Sequence, residues 1–420
     1  MKDLIKFLKD FISNKGLYVL SSLFISKIAL FVSQIIVIRL LSKETFGSIV
    51  YFISIVAFFY PIVGGGTYQG LLRFGSILDE EKEKNDIAAY SFQEGFKYQH
   101  FITILFVITC YILTPNTPDF LLIVFLLSLR LYGTFLVNIL QSHYRAINQN
   151  IIFSKINIIY NVFGLVITVL FTLFWGLTGY FISLATSALV VLVYFNKSIF
   201  LIKKPKFTSI SKKEYWWFNF YASFALLISE FAFILDIQFA NTYLSPSEIA
   251  DYKTLILLPF NLWILPLIFI QTDFPKLSYH YKDKIFIKNY IFNYTKTFLF
   301  IGAIILLISY VFKDELIPFV FGNKYHGGIA FFWLVATVVF SWFTKTIFTN
   351  LLAAIGKIKY NIFSGLLSVI VLSVSAYFLI PMYKVDGLVI STCLSIISSG
   401  LYSIFVFYYI YPKVVKHEEN

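Results

Sequence analysis

The stretch GLYVLSSLFISKIALFVSQIIVIRL, residues Gly16 to Leu40, carries only two charges in 25 residues, Lys27 and Arg39. At ~1.5 Å rise per residue a helix of this length crosses the ~30 Å hydrocarbon layer of a bilayer. The stretch therefore reads as a membrane-spanning helix, with Lys27 placed ~16 Å along it. A charge at that depth is costly and marks a cavity, a partner or a pathway.

Comparable stretches fill the rest of the chain, at 46–70, 92–113, 119–141, 152–175, 178–199, 217–240, 250–272, 291–312, 329–351, 362–382 and 387–411. The expected fold is an all-α integral membrane protein of twelve transmembrane helices. Of the 420 residues, 59% are hydrophobic and 13% charged. Soluble domains carry ~25% charged residues, so no sizeable soluble domain fits. Residues 1–15 alternate lysines with Leu4, Ile5, Leu8, Phe11 and Ile12 at helical spacing. They read as an amphipathic helix on the membrane surface, with no cleavable leader evident.

The connections alternate in charge. One set (1–15, 71–91, 142–151 with Lys155, 196–216, 273–290, 352–361 and 412–420) holds 23 Lys and Arg, and the other set holds four. By the positive-inside rule the basic set is cytoplasmic and both termini lie inside. This asymmetry accounts for the net charge of +12 without a nucleic-acid partner. The richest loop, with Lys203-Lys204-Pro205-Lys206, reads as a retention signal facing anionic lipid.

The two halves resemble each other. Leu41–Gly47 (LSKETFG) answers Leu244–Ala250 (LSPSEIA) at an offset of 203. Ala146-Ile147-Asn148 answers Ala354-Ile355-Gly356, and Gly179–Ser183 (GYFIS) answers Gly387–Ser391 (GLVIS), both at 208. Shared order and register imply a duplicated six-helix unit. The expected organisation is a surface helix 1–15, a bundle 16–199, a basic linker 200–216, a bundle 217–411 and a tail 412–420, with two pseudo-symmetric bundles around a central cavity.

Polar groups inside the spans mark candidate sites. Lys27 reads as a cavity cation for an anionic group, or as half of a structural ion pair. Arg130 opens a stripe with Thr134, Asn138, Gln141 and Arg145, all on one helix face. The stripe reads as a cavity wall in which the arginine grips phosphate, or as polar helix packing. Asn157, Asn161, Gly164, Thr168 and Thr172 share a face of the fifth span and suit packing or cavity lining equally. Lys345 either lines a cavity or snorkels to the cytoplasmic side. Glu230 and Asp236 are the deep acids of the seventh span. They read as a proton or sodium site, or as counter-charges to Lys27 and Arg130. Pro61 before Gly64-Gly65-Gly66, and Pro259 with Pro266, predict interrupted helices at matched places in the two halves.

The sequence holds no Walker motif, glycine-rich phosphate loop or His/Cys metal cluster. Cys110 and Cys393 both sit in apolar spans, so neither a disulfide framework nor a metal is indicated, and no cofactor is expected. These features indicate a secondary transporter rather than an enzyme.

Twelve spans in two halves, the turn Arg39-Leu-Leu-Ser-Lys-Glu-Thr-Phe-Gly47 and the later Pro318-Phe-Val-Phe-Gly-Asn-Lys-Tyr325 resemble bacterial O-antigen and polysaccharide flippases of the multidrug/oligosaccharidyl-lipid/polysaccharide exporter superfamily. The resemblance implies alternating-access transfer of an undecaprenyl-pyrophosphate-linked oligosaccharide across the bacterial inner membrane, often ion-coupled to H+ or Na+. It also implies membrane lipids and polysaccharide polymerase machinery as partners. Lys27 and Arg130 match the cationic cavities of that family in character. The substrate-binding set is Lys27, Arg130, Thr134, Asn138, Gln141 and Lys345, and the coupling pair is Glu230 and Asp236. The rivals are a multidrug or cation antiporter of the same superfamily and a polytopic polysaccharide polymerase or ligase, which needs a larger outside loop.

Overall fold

The computed structural model describes residues 16–114, 119–203, 205–206, 210–357 and 359–417. The amphipathic segment 1–15, Lys204 and the last three residues of the tail lie outside the described residues. Among those described, the structure is helical with no strand. In chain order the helices are α1 (Gly16–Leu40), α2 (Lys43–Phe59), α3 (Thr67–Ile77), α4 (Glu81–Leu113), α5 (Phe120–Ala146), α6 (Asn150–Thr186), α7 (Lys197–Phe200), α8 (Lys212–Tyr243), α9 (Pro246–Asn261), α10 (Ile264–Tyr279), α11 (Lys284–Val311), α12 (Leu316–Phe321), α13 (Gly328–Ser341), α14 (Ile347–Ala354) and α15 (Lys359–His417).

Among the described residues, eight helical stretches are long and apolar enough to cross a membrane. Two of them, Asn150–Tyr194 with 45 residues and Lys359–Val415 with 57, would be ~68 and ~86 Å long if straight, far beyond one bilayer. Both fold back on themselves. In the first, Gly176 leaves the helical region and the Thr168 and Ser183 hydroxyls meet at 2.9 Å. In the second, Lys384 breaks the helix, Ser368 meets Ser395 at 2.6 Å and Ser364 meets Ser403 at 3.1 Å. Each is thus a hairpin of two crossings. Together with α8 and the broken pair α9–α10, these give the expected twelve.

The interruptions expected at Pro61 and Pro259 are present. Between α2 and α3 the chain makes a tight turn in which Gly64, Gly65 and Gly66 take φ values of 59°, 64° and 70°. These left-handed conformations favour glycine, and a Cβ on Gly64 would strike the Phe135 ring. The Gly64 amide freed by the turn donates to Gln99 Oε1 at 2.9 Å. Leu262 and Trp263 separate α9 from α10. One expectation needs correcting. The loop read as 71–91 is mostly helix, because α3 continues to Ile77 and α4 begins at Glu81. Glu81 and Glu83 sit in the first turn of α4, where carboxylates favour the helix dipole.

By compactness the chain forms two units. Of the described residues, unit 1 holds those within 16–42 and 52–231, and unit 2 those within 43–51 and 232–417. In unit 1, α1 packs on α6 through Asn157, whose amide donates to Ser22 O at 3.2 Å and to Ser26 Oγ at 2.9 Å. The fifth-span polar stripe therefore begins as helix packing. Buried aromatic side chains such as Phe106, Phe135 and Phe181 fill the rest of this core. In unit 2, the serine ladder of α15 plays the corresponding role, letting its two arms approach closely as small residues do in membranes.

Candidate functional site: a cationic cavity in unit 1

The C-terminal half of α5 presents Asn138, Gln141, Ser142 and Arg145 to a cavity of about 430 Å³ in unit 1. The opposite wall comes from α3 through Tyr68, Gln69, Leu72 and Arg73, and from Phe153, Phe218 and Leu226. Two guanidinium side chains and three carboxamides thus face one space, and no carboxylate lines it. Gln69 Nε2 donates to Ser223 Oγ at 3.2 Å and Gln141 Nε2 to Asn157 Oδ1 at 3.4 Å, which orients both amides. The Arg145 guanidinium lies 5.3 Å from the Phe153 ring, and that of Arg73 lies 4.9 Å from Phe218. Stacking on aromatic faces leaves the N–H edges free for an anion.

Deeper on the same helix, Arg130 is held by neutral groups. Its NH1 donates to Ser187 Oγ at 2.9 Å and its Nε to Tyr60 Oη at 3.4 Å. The rings of Tyr160 and Tyr60 lie 5.4 and 5.9 Å from the guanidinium carbon. Among the described residues no carboxylate forms an ion pair with Arg130. The Thr134 hydroxyl returns to its own helix, donating to Arg130 O at 2.9 Å. Thr134 and Arg130 therefore stand above the cavity, and Asn138 and Gln141 stand in it. Lys27 is exposed on α1, beside Ser26, which faces Asn157.

Asp236 and Lys345 belong to unit 2, and Glu230 falls at the end of unit 1. Asp236 is 5% exposed, and its Oδ2 accepts from Tyr252 Oη at 2.7 Å. Tyr252 Oη also meets Thr392 Oγ1 at 2.8 Å, and Lys253 lies within electrostatic reach of the carboxylate. A buried acid hydrogen-bonded to a tyrosine hydroxyl is chemically suited to hold a proton or a small cation. The direct partners of Asp236 are thus the Tyr252 hydroxyl and the Ile237 amide, with Lys253 nearby and Thr392 one step out through Tyr252. The Glu230 side chain lies outside the described residues. Lys345 sits half-buried in the π-helical turn Trp342–Thr346, where the freed Trp342 carbonyl accepts from Tyr294 Oη at 3.1 Å. Such turns recur at functional positions. No group of His, Cys, Asp and Glu among the described residues is arranged to hold a metal.

Several of these groups escape a reading of the sequence. Arg73 and Gln69 fall near the expected cytoplasmic loop, where a cation is explained by topology alone. Tyr60, Tyr160, Tyr252 and Thr392 carry no charge and vanish into the chain's high aromatic and hydroxyl content.

No family model matches the sequence, and no curated protein matches it significantly. Solved structures do match. An inward-facing multidrug resistance MATE family transporter of the MOP superfamily superposes with a TM-score of 0.66 at 14% identity, over 93% of this chain and 96% of the other. The lipid II flippase MurJ in an inward closed conformation also superposes at 0.66, with 18% identity over 94% and 89%. An outward-facing MATE transporter gives 0.61 at 14% identity, with 96% of each chain covered. The chain therefore shares its fold with these transporters.

Proposed function

We propose that the protein is a flippase that carries an undecaprenyl-pyrophosphate-linked oligosaccharide, the repeat unit of O-antigen or a related surface polysaccharide, from the inner to the outer leaflet of the bacterial inner membrane. The observation that carries this reading is the unit 1 cavity, in which Arg73 and Arg145 face Asn138, Gln141 and Gln69 with no lining carboxylate. Arginine forks suit the oxygens of a pyrophosphate, and carboxamides suit sugar hydroxyls. The fold shared with a lipid II flippase supports the same substrate class. Lys27 and Arg130 supply further positive charge in unit 1 and Lys345 supplies one in unit 2, and the isoprenoid tail stays in lipid. Transport proceeds by alternating access, with both termini cytoplasmic, without a covalent step. Asp236 and Glu230 couple it to H+ or Na+. Polysaccharide polymerase machinery consumes the product.

One observation favours a second reading, a multidrug or cation antiporter. The buried Asp236 with its Tyr252 hydroxyl partner is a cation-binding chemistry, and MATE transporters share the fold. Reconstitution separates the two. Proteoliposomes containing the protein should expose a labelled undecaprenyl-pyrophosphate oligosaccharide to a membrane-impermeant lectin, with no uptake of cationic dyes. Dye uptake without lectin exposure would establish the antiporter instead.

A further inference from the structure

A second hollow of about 540 Å³ lies in unit 1 between the end of α3 and the start of α8. Arg73, Ser211, Lys213, Glu214, Trp217 and Phe218 line it. Arg73 and Phe218 line the candidate cavity as well, so the two spaces meet at this cation–aromatic pair. Beyond the hollow, α8 displays an aromatic ladder. Trp217 stacks on Tyr221 at 5.4 Å, Phe220 stacks on Phe224 at 6.0 Å, and all four are at least half exposed. Trp and Tyr prefer the headgroup level of a bilayer, which places this hollow at the cytoplasmic interface beside the basic 196–216 segment.

The geometry points to this hollow as the admission site for an inner-leaflet lipid with an isoprenoid tail and a phosphate or pyrophosphate head. This assignment rests on the flippase reading and deepens it. Lys213 and Arg73 meet the head, while the α8 ladder offers a stacked apolar track for the tail. Glu214 offsets part of the local charge, which suits a way station rather than a resting place. The stronger positive field lies inward, where Arg73 and Arg145 face no carboxylate. Arg73 touches both spaces and so passes the head from one to the other.

The test uses the full chain in nanodiscs of phosphatidylethanolamine with a photoreactive geranylgeranyl pyrophosphate probe. Labelling is expected on the first turns of α8. K213A and W217A should each weaken it at least about tenfold, and their double variant should slow transport of the lipid-linked oligosaccharide. Phosphatidylglycerol and inorganic pyrophosphate, each alone, should compete poorly. Equal competition by phosphatidylglycerol would make this a general anionic-lipid site, and full competition by inorganic pyrophosphate would make the tail irrelevant; either overturns the assignment. Unchanged labelling and full transport in the double variant overturn the admission site while leaving the flippase reading intact. Absence of transport by the wild-type protein overturns the flippase reading itself.

Discussion

Gly176 and Lys384 stand 208 positions apart and hold one backbone conformation, φ 54°, ψ −128° in the first and φ 52°, ψ −125° in the second. Each is the bend of a helical hairpin. Three residues on, Gly179 and Gly387 sit against the carbonyls of Phe171 and Leu379, again 208 apart. Asn148 and Gly356, at the same offset, both take left-handed conformations with φ 59° and 71°. The repeated sequence motifs therefore correspond to repeated backbone geometry.

This geometry makes glycine indispensable at two positions. An alanine Cβ at 179 or 387 would overlap a backbone carbonyl. G179A and G387A should each destabilise by about 1–3 kcal/mol, as overpacking does. At Gly176 a Cβ meets nothing within 4 Å, so G176A bears only the backbone penalty of about 1–2 kcal/mol. Thermal unfolding in detergent should rank G387A and G179A alike, and equal to wild type in neither case.

Asn138 faces the cavity and Asn157 faces packed helix, although both are polar residues at comparable depth. In a cysteine-free background, N138C should react with a water-soluble maleimide at least about tenfold faster than N157C. Equal rates would mean the cavity is closed to water.

The unit 2 network predicts a coupling phenotype. D236N keeps the shape but removes the charge that Tyr252, itself held by Thr392, meets. Transport driven by an imposed pH or sodium gradient should lose its gradient dependence, with residual downhill flux retained. Y252F should reduce the dependence in the same direction. Gradient dependence equal to wild type in D236N would remove Asp236 from coupling.

Glu248 caps α9 from outside the membrane-spanning segments. Burial raises its pKa, but the Ser245 amide and hydroxyl and the Lys384 ammonium, 3.1 Å away, outweigh this and hold it below its usual 4.5. A depressed carboxylate contributes stability above its unfolded pKa and loses it as pH falls through the folded one. Unit 2 should therefore loosen on acidification below about pH 4.5, and E248Q should flatten that part of the stability profile. An identical acid limb in E248Q would contradict the cap.

The span pattern was legible because hydropathy dominates at this length, and Gly64–Gly66 announced a break because three glycines tolerate a turn that other residues resist. The stripe Asn138, Gln141 and Arg145 was legible because its spacing follows the helical period. Arg73 was not, because a positive-inside cation and a cavity cation have the same sequence signature. The partners of Arg130 and Asp236 were hidden for another reason. The side chains that hydrogen-bond or face them are neutral tyrosines and a serine brought from other spans, and no local period marks them.

Anion recognition by Arg73 and Arg145 in one cavity underlies the proposed transport. The most direct measurement is the affinity of the purified protein for an undecaprenyl-pyrophosphate oligosaccharide, compared between wild type, R145A and the R73A R145A double variant. The expected result is a loss of at least about tenfold in R145A and more in the double variant, with weakening at high salt. Affinity unchanged in the double variant, or tightened as the two positive charges are removed, would contradict it.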